Sequence, residues 1–177
     1  KVGSGGFADV FMGSGPDGET VALKIPRLSS CETIDMGVFN SEAEVWTLLS
    51  RFGHPHIVQV LGYGTSPCPW IAMEYMAGGS LRKRMDQISP SSALQLAVNV
   101  ADALHFAHHH GVFHRDVKPE NVLFGDSDTP KLTDWGLAKG LLDVTRVTAD
   151  FRGTIARAAP EQLDSQRFGP VDWRTDV

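Results

Sequence analysis

Cysteine is nearly absent: Cys31 and Cys68 are the only two in 177 residues. They lie far apart in no metal-like spacing, too few for a disulfide framework or a zinc knuckle, so a reducing compartment is the expectation. Long apolar runs are missing too. Nothing approaches the ~20 residues that cross a bilayer, and Lys1-Val2-Gly3-Ser4-Gly5 lacks the charged-then-apolar pattern of a secretion signal. Nor is there a basic excess. The 16 Lys and Arg against 21 Asp and Glu leave a net charge of -5, which argues against a surface built to wrap nucleic acid or an anionic membrane. Internal repeats and low-complexity segments are absent. The chain also starts without a Met and stops at Asp176-Val177 with no helix ending, so both ends are expected to be cut.

What is present is an ordinary globular composition, 42% hydrophobic and 21% charged, which excludes disorder and fibrous repeats and fits one domain or part of a larger one. Residues 7–12 and 19–25 are β-rich and flank the turn formers Gly13 to Gly18, predicting a hairpin. Phe39, Ala43, Trp46 and Leu49 follow helical spacing until Gly53-His54-Pro55. Residues 57–63 and 70–75 read as further strands. Ser89 is a plausible N-cap with Pro90 at the first helical position, and 91–110 should form a largely buried helix that Gly111 stops. Short β pieces at 122–124 and 131–133 follow, then a weakly periodic stretch from Gly136 to Pro160, long enough to be functional or disordered.

Several groups of residues could carry chemistry. Gly3-Ser4-Gly5-Gly6-Phe7-Ala8 fits G-x-G-x-x-G/A, where glycines let backbone amides approach phosphate oxygens. By itself this is also an ordinary Gly-rich turn. A dinucleotide fingerprint would have to follow a strand and open a helix, whereas these glycines run into a strand and a hairpin. Lys24 in Val21-Ala22-Leu23-Lys24 is either an exposed strand lysine or a point charge on phosphates steadied by a carboxylate, with Glu44 first choice and Glu42 second. His114-Arg115-Asp116-Val117-Lys118-Pro119-Glu120-Asn121 concentrates an acid, two bases and an amide in one turn. Asp116 could accept a hydroxyl proton, Lys118 neutralise a phosphoryl group, and Asn121 ligate a divalent cation. Asp134, before Trp135-Gly136, is a turn residue or a second hard-oxygen ligand. His105 and His109 have metal-like i, i+4 spacing, but histidines at a helix C-terminus are favourable without a metal.

Taken in order, the glycine loop, the Val-Ala-Leu-Lys strand, a helix glutamate, His-Arg-Asp with its Asn, Asp-Trp-Gly and Ala159-Pro160-Glu161 resemble the protein kinase family over essentially the whole chain. Lys118-Pro119-Glu120-Asn121 resembles the Ser/Thr class, and Asp134 to Lys139 is similar to bacterial eukaryotic-like kinases. The resemblance implies an α+β, bilobal fold: a small antiparallel-sheet N-lobe with one helix at 1–76 and a mainly helical, truncated C-lobe at 77–177. It implies transfer of the ATP γ-phosphoryl group to Ser/Thr hydroxyls of protein substrates, with ATP and Mg2+ or Mn2+ as cofactors. A cytoplasmic location follows, alone or as the cytoplasmic part of a membrane-anchored protein. No nucleic-acid or membrane contact is implied for this stretch, and activation through a dimer is left open.

The implied roles are specific. Val2, Gly3, Gly5 and Gly6 cover the nucleotide, and Lys24 binds phosphates and pairs with Glu44. Val10, Ala22 and Leu123 enclose the adenine, with Met73 as gatekeeper before the hinge Glu74-Tyr75-Met76. Asp116 is the base, Lys118 steadies the phosphoryl group, and Asn121 and Asp134 hold the metal. Leu48, Val60, Trp135 and His114 stack as an internal spine. Arg115 suggests control by an anion, with Thr145 and Thr148 as phosphoacceptors, while Thr154 contacts the substrate site.

Departures qualify the match. Ala8 replaces the last loop glycine, Trp135 the usual Phe, and Arg157 an aromatic. The spacing from Glu44 to Pro55 is one residue longer than in many members of the family. Asp176 resembles the helix aspartate that holds the His-Arg-Asp backbone, while the usual arginine partner of Glu161 is absent, which would leave that carboxylate without its mate. This stretch expressed alone is expected to be unstable or inactive. The alternative is a catalytically silent kinase-like nucleotide-binding or regulatory module; a dinucleotide oxidoreductase is a distant third.

Overall fold

The computed structural model describes residues 1–4, 8–27, 36–135 and 158–177, apart from the side chains of Val38 and Glu42. Gly5, Gly6, Cys31, Thr145, Thr148, Thr154 and Arg157 therefore lie outside the described residues. The first sheet has five antiparallel strands, β1 (Gly3–Ser4), β2 (Ala8–Ser14), β3 (Thr20–Pro26), β4 (Val60–Gly64) and β5 (Trp70–Glu74), in the order β1-β2-β3-β5-β4. The β2–β3 hairpin forms as the turn formers require: Gly15 N–H donates to Glu19 O at 2.8 Å and Gly18 takes φ +82°, open to glycine without strain. Its register pairs Val10 with Lys24, and β5 on the other side pairs Ile71 with Lys24 and Met73 with Ala22. Lys24 thus stands mid-sheet.

Helix α1 (Met36–Arg51) packs against β4. Phe39, Ala43, Trp46 and Leu49, spaced three or four apart, form its buried stripe. Trp46 is fully buried, and its Nε1–H donates to Val58 O at 3.2 Å, so the indole is satisfied inside the core. Leu48 is 58% exposed, on the other face. The expected spine position of Leu48 is thereby corrected: one residue is about 100° of helix, and the adjacent Leu49, 1% exposed, takes the inward place beside Trp46.

Helix α2 (Pro90–His109) begins as its sequence signals, with Ser89 Oγ accepting from Ser92 N–H at 3.2 Å and Pro90 following the cap. The expectation of a largely buried helix is corrected. Only Ala103, Leu104 and Ala107 are buried, while Leu94 is 70% exposed. A second sheet, β6 (Gly79–Ser80), β7 (Val122–Phe124) and β8 (Pro130–Leu132), follows the order β6-β7-β8. The segment after α1 stitches onto β8: Val58 N–H donates to Leu132 O and Leu132 N–H to His56 O, both at 2.8 Å. Val60, Met73, Leu132 and Trp135 join one apolar core that runs from the first sheet to the second. Short helices α3 (Pro160–Leu163) and α4 (Ser165–Phe168) and a 3-10 turn at Trp173–Asp176 complete the described chain.

Among the described residues no helix is long and apolar enough to cross a membrane. Cys68, in the turn between β4 and β5, is disulfide-bonded, which the reducing-compartment expectation did not anticipate.

Candidate active site

The loop between α2 and β7 is held from beneath by a buried acid. Asp176 accepts from His114 N–H at 2.8 Å and from Arg115 N–H at 2.5 Å, and lies 2.8 Å from His108 Nε2 at the end of α2. These bonds fix Arg115 at φ +67°, a region that non-glycine residues avoid. His114 is fully enclosed; its ring contacts Trp135 at 4.8 Å and bonds Thr133 O through Nε2 at 2.9 Å. Burial pushes the His114 imidazole below its ordinary pKa, against the pull of Asp176. The ring is therefore neutral, with Nε2 carrying the proton and Nδ1 accepting from Asp116 N–H at 3.3 Å.

On this frame Asp116 faces a cation and an amide. Lys118 Nζ lies 2.6 Å from Asp116 Oδ2, and Asn121 Nδ2 donates to Asp116 O at 2.9 Å and Oδ2 at 3.1 Å. Asn121 is buried, and because its NH2 points at Asp116, its Oδ1 sits on the opposite side of the amide.

Asp134 follows β8 at φ +67°. Its Oδ1 is 2.7 Å from Lys24 Nζ, which reaches across from β3. Burial pushes the Asp134 carboxyl up, but Lys24, with Lys118 behind it, pulls harder, so it ends below the ordinary value and ionised. The expected Lys24–Glu44 pair is not formed. Glu44 is exposed and accepts from Tyr63 OH at 3.4 Å. In the helical register, position 42 shares the face of Phe39, Trp46 and Leu49, whereas position 44 shares that of Leu48 and Arg51.

Around the space above Lys24, Ala22 and Met73 are buried, Val10 and Leu123 half-buried, and Val2 exposed. Gly3 pairs with Val10 across β1 and β2. Glu74 N–H is already used by Gln59 O at 3.0 Å, and its carboxylate is bound by Lys131 Nζ, 2.8 Å to each oxygen. Met76 O accepts from Gly79 N–H at 3.1 Å.

Three features were not read from the sequence. Glu161, expected to lack its usual arginine partner, accepts instead from Thr175 Oγ1, and that bond lowers its pKa. Arg115 Nε is buried without a hydrogen-bond partner among the described residues. Gln162 bonds the Arg115 carbonyl at 2.8 Å; its only sequence signal is that it follows Ala159-Pro160-Glu161.

The hard-oxygen donors, Asn121 Oδ1 and the ionised Asp134, suit a divalent cation of the magnesium type. Beside them Lys24 and Lys118 supply positive charge for phosphates.

A two-lobed architecture with an acid, a metal-type donor pair and a strand lysine in one cleft defines the protein kinase class. The protein kinase domain family matches residues 1–174, and the chain belongs to that family. It is 32% identical over 169 residues to the probable serine/threonine-protein kinase PknB of Lactococcus lactis, covering 92% of this chain and 27% of that protein. It is 34% identical over 190 residues to the serine/threonine-protein kinase PknB of Mycolicibacterium smegmatis, covering 99% and 29%. A probable receptor-like serine/threonine-protein kinase of Arabidopsis thaliana is 31% identical over 189 residues, covering 99% and 31%. The chain thus spans under a third of the length of these relatives.

Proposed function

We propose that the chain transfers the γ-phosphoryl group of ATP to Ser or Thr hydroxyls of protein substrates. The observation that carries this reading is the cluster of Lys24 on Asp134 with Lys118 and Asn121 on Asp116, which puts cations, a base and metal-type donors together. The division of labour is 1–76 for the nucleotide and 77–177 for the chemistry.

In the reaction, Asp116 accepts the proton of the substrate hydroxyl as its oxygen attacks the γ-phosphorus, and the bond to the β,γ-bridging oxygen breaks to release ADP. Lys118, beside Asp116, balances the charge that develops on the γ-oxygens. Lys24 orients the α- and β-phosphates, while Val10, Ala22 and Leu123 enclose the base under Met73. Met76 N–H and the Glu74 carbonyl read its edge, and Val2, Gly3, Gly5 and Gly6 cover the phosphates. Asn121 and Asp134 would hold a divalent cation, which when bound supplies charge neutralisation on the phosphates. ATP as donor points to a cytoplasmic location.

The lysine's carboxylate partner on α1 in the active arrangement is then Glu42, since its helical position is on the inward face. Arg115 Nε, buried and unbonded among the described residues, suits an anion, and phosphorylation at Thr145 or Thr148 would provide one. Thr154 is assigned to substrate contact with Asp116 and Lys118.

A transfer assay on the full chain tests the reading. Asp116→Asn should lower the rate by about 10²–10⁴-fold while ATP still binds. ATP binding with no transfer sensitive to this substitution would favour the silent module.

A further inference from the structure

We propose that Gln162 is a positioning residue for phosphoryl transfer, its side-chain amide holding the Arg115–Asp116 peptide plane and so aiming the Asp116 carboxylate. This rests on the reading of Asp116 as the base. Gln162 Nε2 donates to Arg115 O at 2.8 Å and its Oε1 accepts from Ala159 N–H at 3.0 Å. The opposite amide orientation would set NH2 against N–H and carbonyl against carbonyl, so the two backbone partners fix the assignment.

The bonded carbonyl belongs to the same planar unit as Asp116 N–H. His114 Nδ1 takes that N–H at 3.3 Å, so the unit is gripped on both edges, by Gln162 on the oxygen and His114 on the hydrogen. The grip matters because Arg115 sits at φ +67°, from which a freed residue relaxes toward negative φ. Asp176 holds the N–H side of Arg115; on its C=O side the loss of Gln162 would leave only the longer 3.3 Å bond from Asp116 N–H to His114 Nδ1. Rotation of that peptide would swing the Cα of Asp116 and with it the base. Lys118 and Asn121 do not replace the restraint: Lys118 lies on the same loop and moves with it, and Asn121, tied to Thr133 N–H at 3.0 Å, holds the Asp116 carbonyl and carboxylate rather than the peptide plane before them. Gln162 comes from outside, on α3, directly after Ala159-Pro160-Glu161.

Three substitutions in the full chain separate the two bonds. Gln162→Met keeps the length and loses both; Gln162→Glu can accept from Ala159 but cannot donate to Arg115 O; Gln162→Lys can donate but cannot accept. With Q162M and Q162E, kcat should fall about tenfold with KM for Mg·ATP within about twofold, as expected for a lost hydrogen bond that acts on the reacting geometry. Amide hydrogen exchange at Asp116 should quicken in the same two variants. Q162K should stay near the parent in both readouts. Unchanged kcat in Q162M and Q162E overturns the proposal. So does a common loss in all three variants accompanied by a lower melting temperature and a raised KM, which marks a merely structural residue. If the parent itself transfers no phosphate, the kinase reading fails, and exchange at Asp116 alone decides: faster in Q162E than in Q162K supports the grip, equal rates overturn it.

Discussion

Lys24 on β3 and Asp134 after β8 meet at 2.7 Å, an ion pair joining the first sheet to the strand end of the second. That contact takes the place of the helix carboxylate expected for Lys24. It leaves the strand lysine within reach of the donors assigned to phosphate and metal, while the partner on α1 has still to be engaged.

The register of α1 gives the first prediction. Glu42→Gln should lower kcat/KM by about tenfold or more, the scale of losing one charge-assisted bond. Glu44→Gln, on the exposed face, should leave the rate within about twofold. Steady-state kinetics of the two variants checks this, and equal losses would return Glu44 to the role.

The same register sets a stability contrast. Trp46→Ala removes a fully buried ring and should cost about 3–5 kcal/mol, whereas Leu48→Ala, mostly exposed, should stay within about 0.5 kcal/mol. Denaturant unfolding measures both.

Much of this was legible in the sequence, and the misses share a cause. The β2–β3 hairpin and the Ser89-Pro90 helix start announce themselves through local chemistry, glycines in the turn and a hydroxyl at the cap. The hold of Asp176 on the His114 and Arg115 backbone was also anticipated, because the motif fixes both ends. What escaped depends on the choice between near-equivalent partners. Leu48 and Leu49 are adjacent apolar residues, and only packing decides which faces in. Lys24 had carboxylates on two elements within reach, and side-chain pairing across elements leaves no periodic trace. Gln162 bonds backbone atoms far along the chain, which no residue pattern encodes.

Asp176 should be intolerant of change. Asp176→Ala strips the buried His114 N–H, the half-buried Arg115 N–H and His108 of their acceptor and should destabilise by at least about 2 kcal/mol. Thermal unfolding of the full chain, with its carboxylate-free but isosteric Asp176→Asn as comparison, measures the loss.

A pH effect is expected at the glycine strand. Asp9 accepts from Ser4 Oγ at 2.9 Å and pairs with Lys1 and Arg27; Lys1 first, then Ser4, hold its pKa at about 2, below the ordinary 3.8. A depressed carboxylate stabilises fully above its unfolded value and loses that contribution as pH falls through the folded one. The tether of Ser4 should therefore weaken between about pH 4 and pH 2. An NMR titration of Asp9 should show its midpoint rising toward 3.8 in Lys1→Ala.

The convergence of Lys24 and Asp134 on one nucleotide is tested most directly by calorimetric titration of ATP into the full chain, with and without Mg2+. In the parent, Mg2+ should tighten ATP binding; Asp134→Asn should erase that gain, and Lys24→Met should weaken binding by about tenfold while keeping it. Identical ATP affinity and identical Mg2+ response in parent and both variants would contradict the assignment.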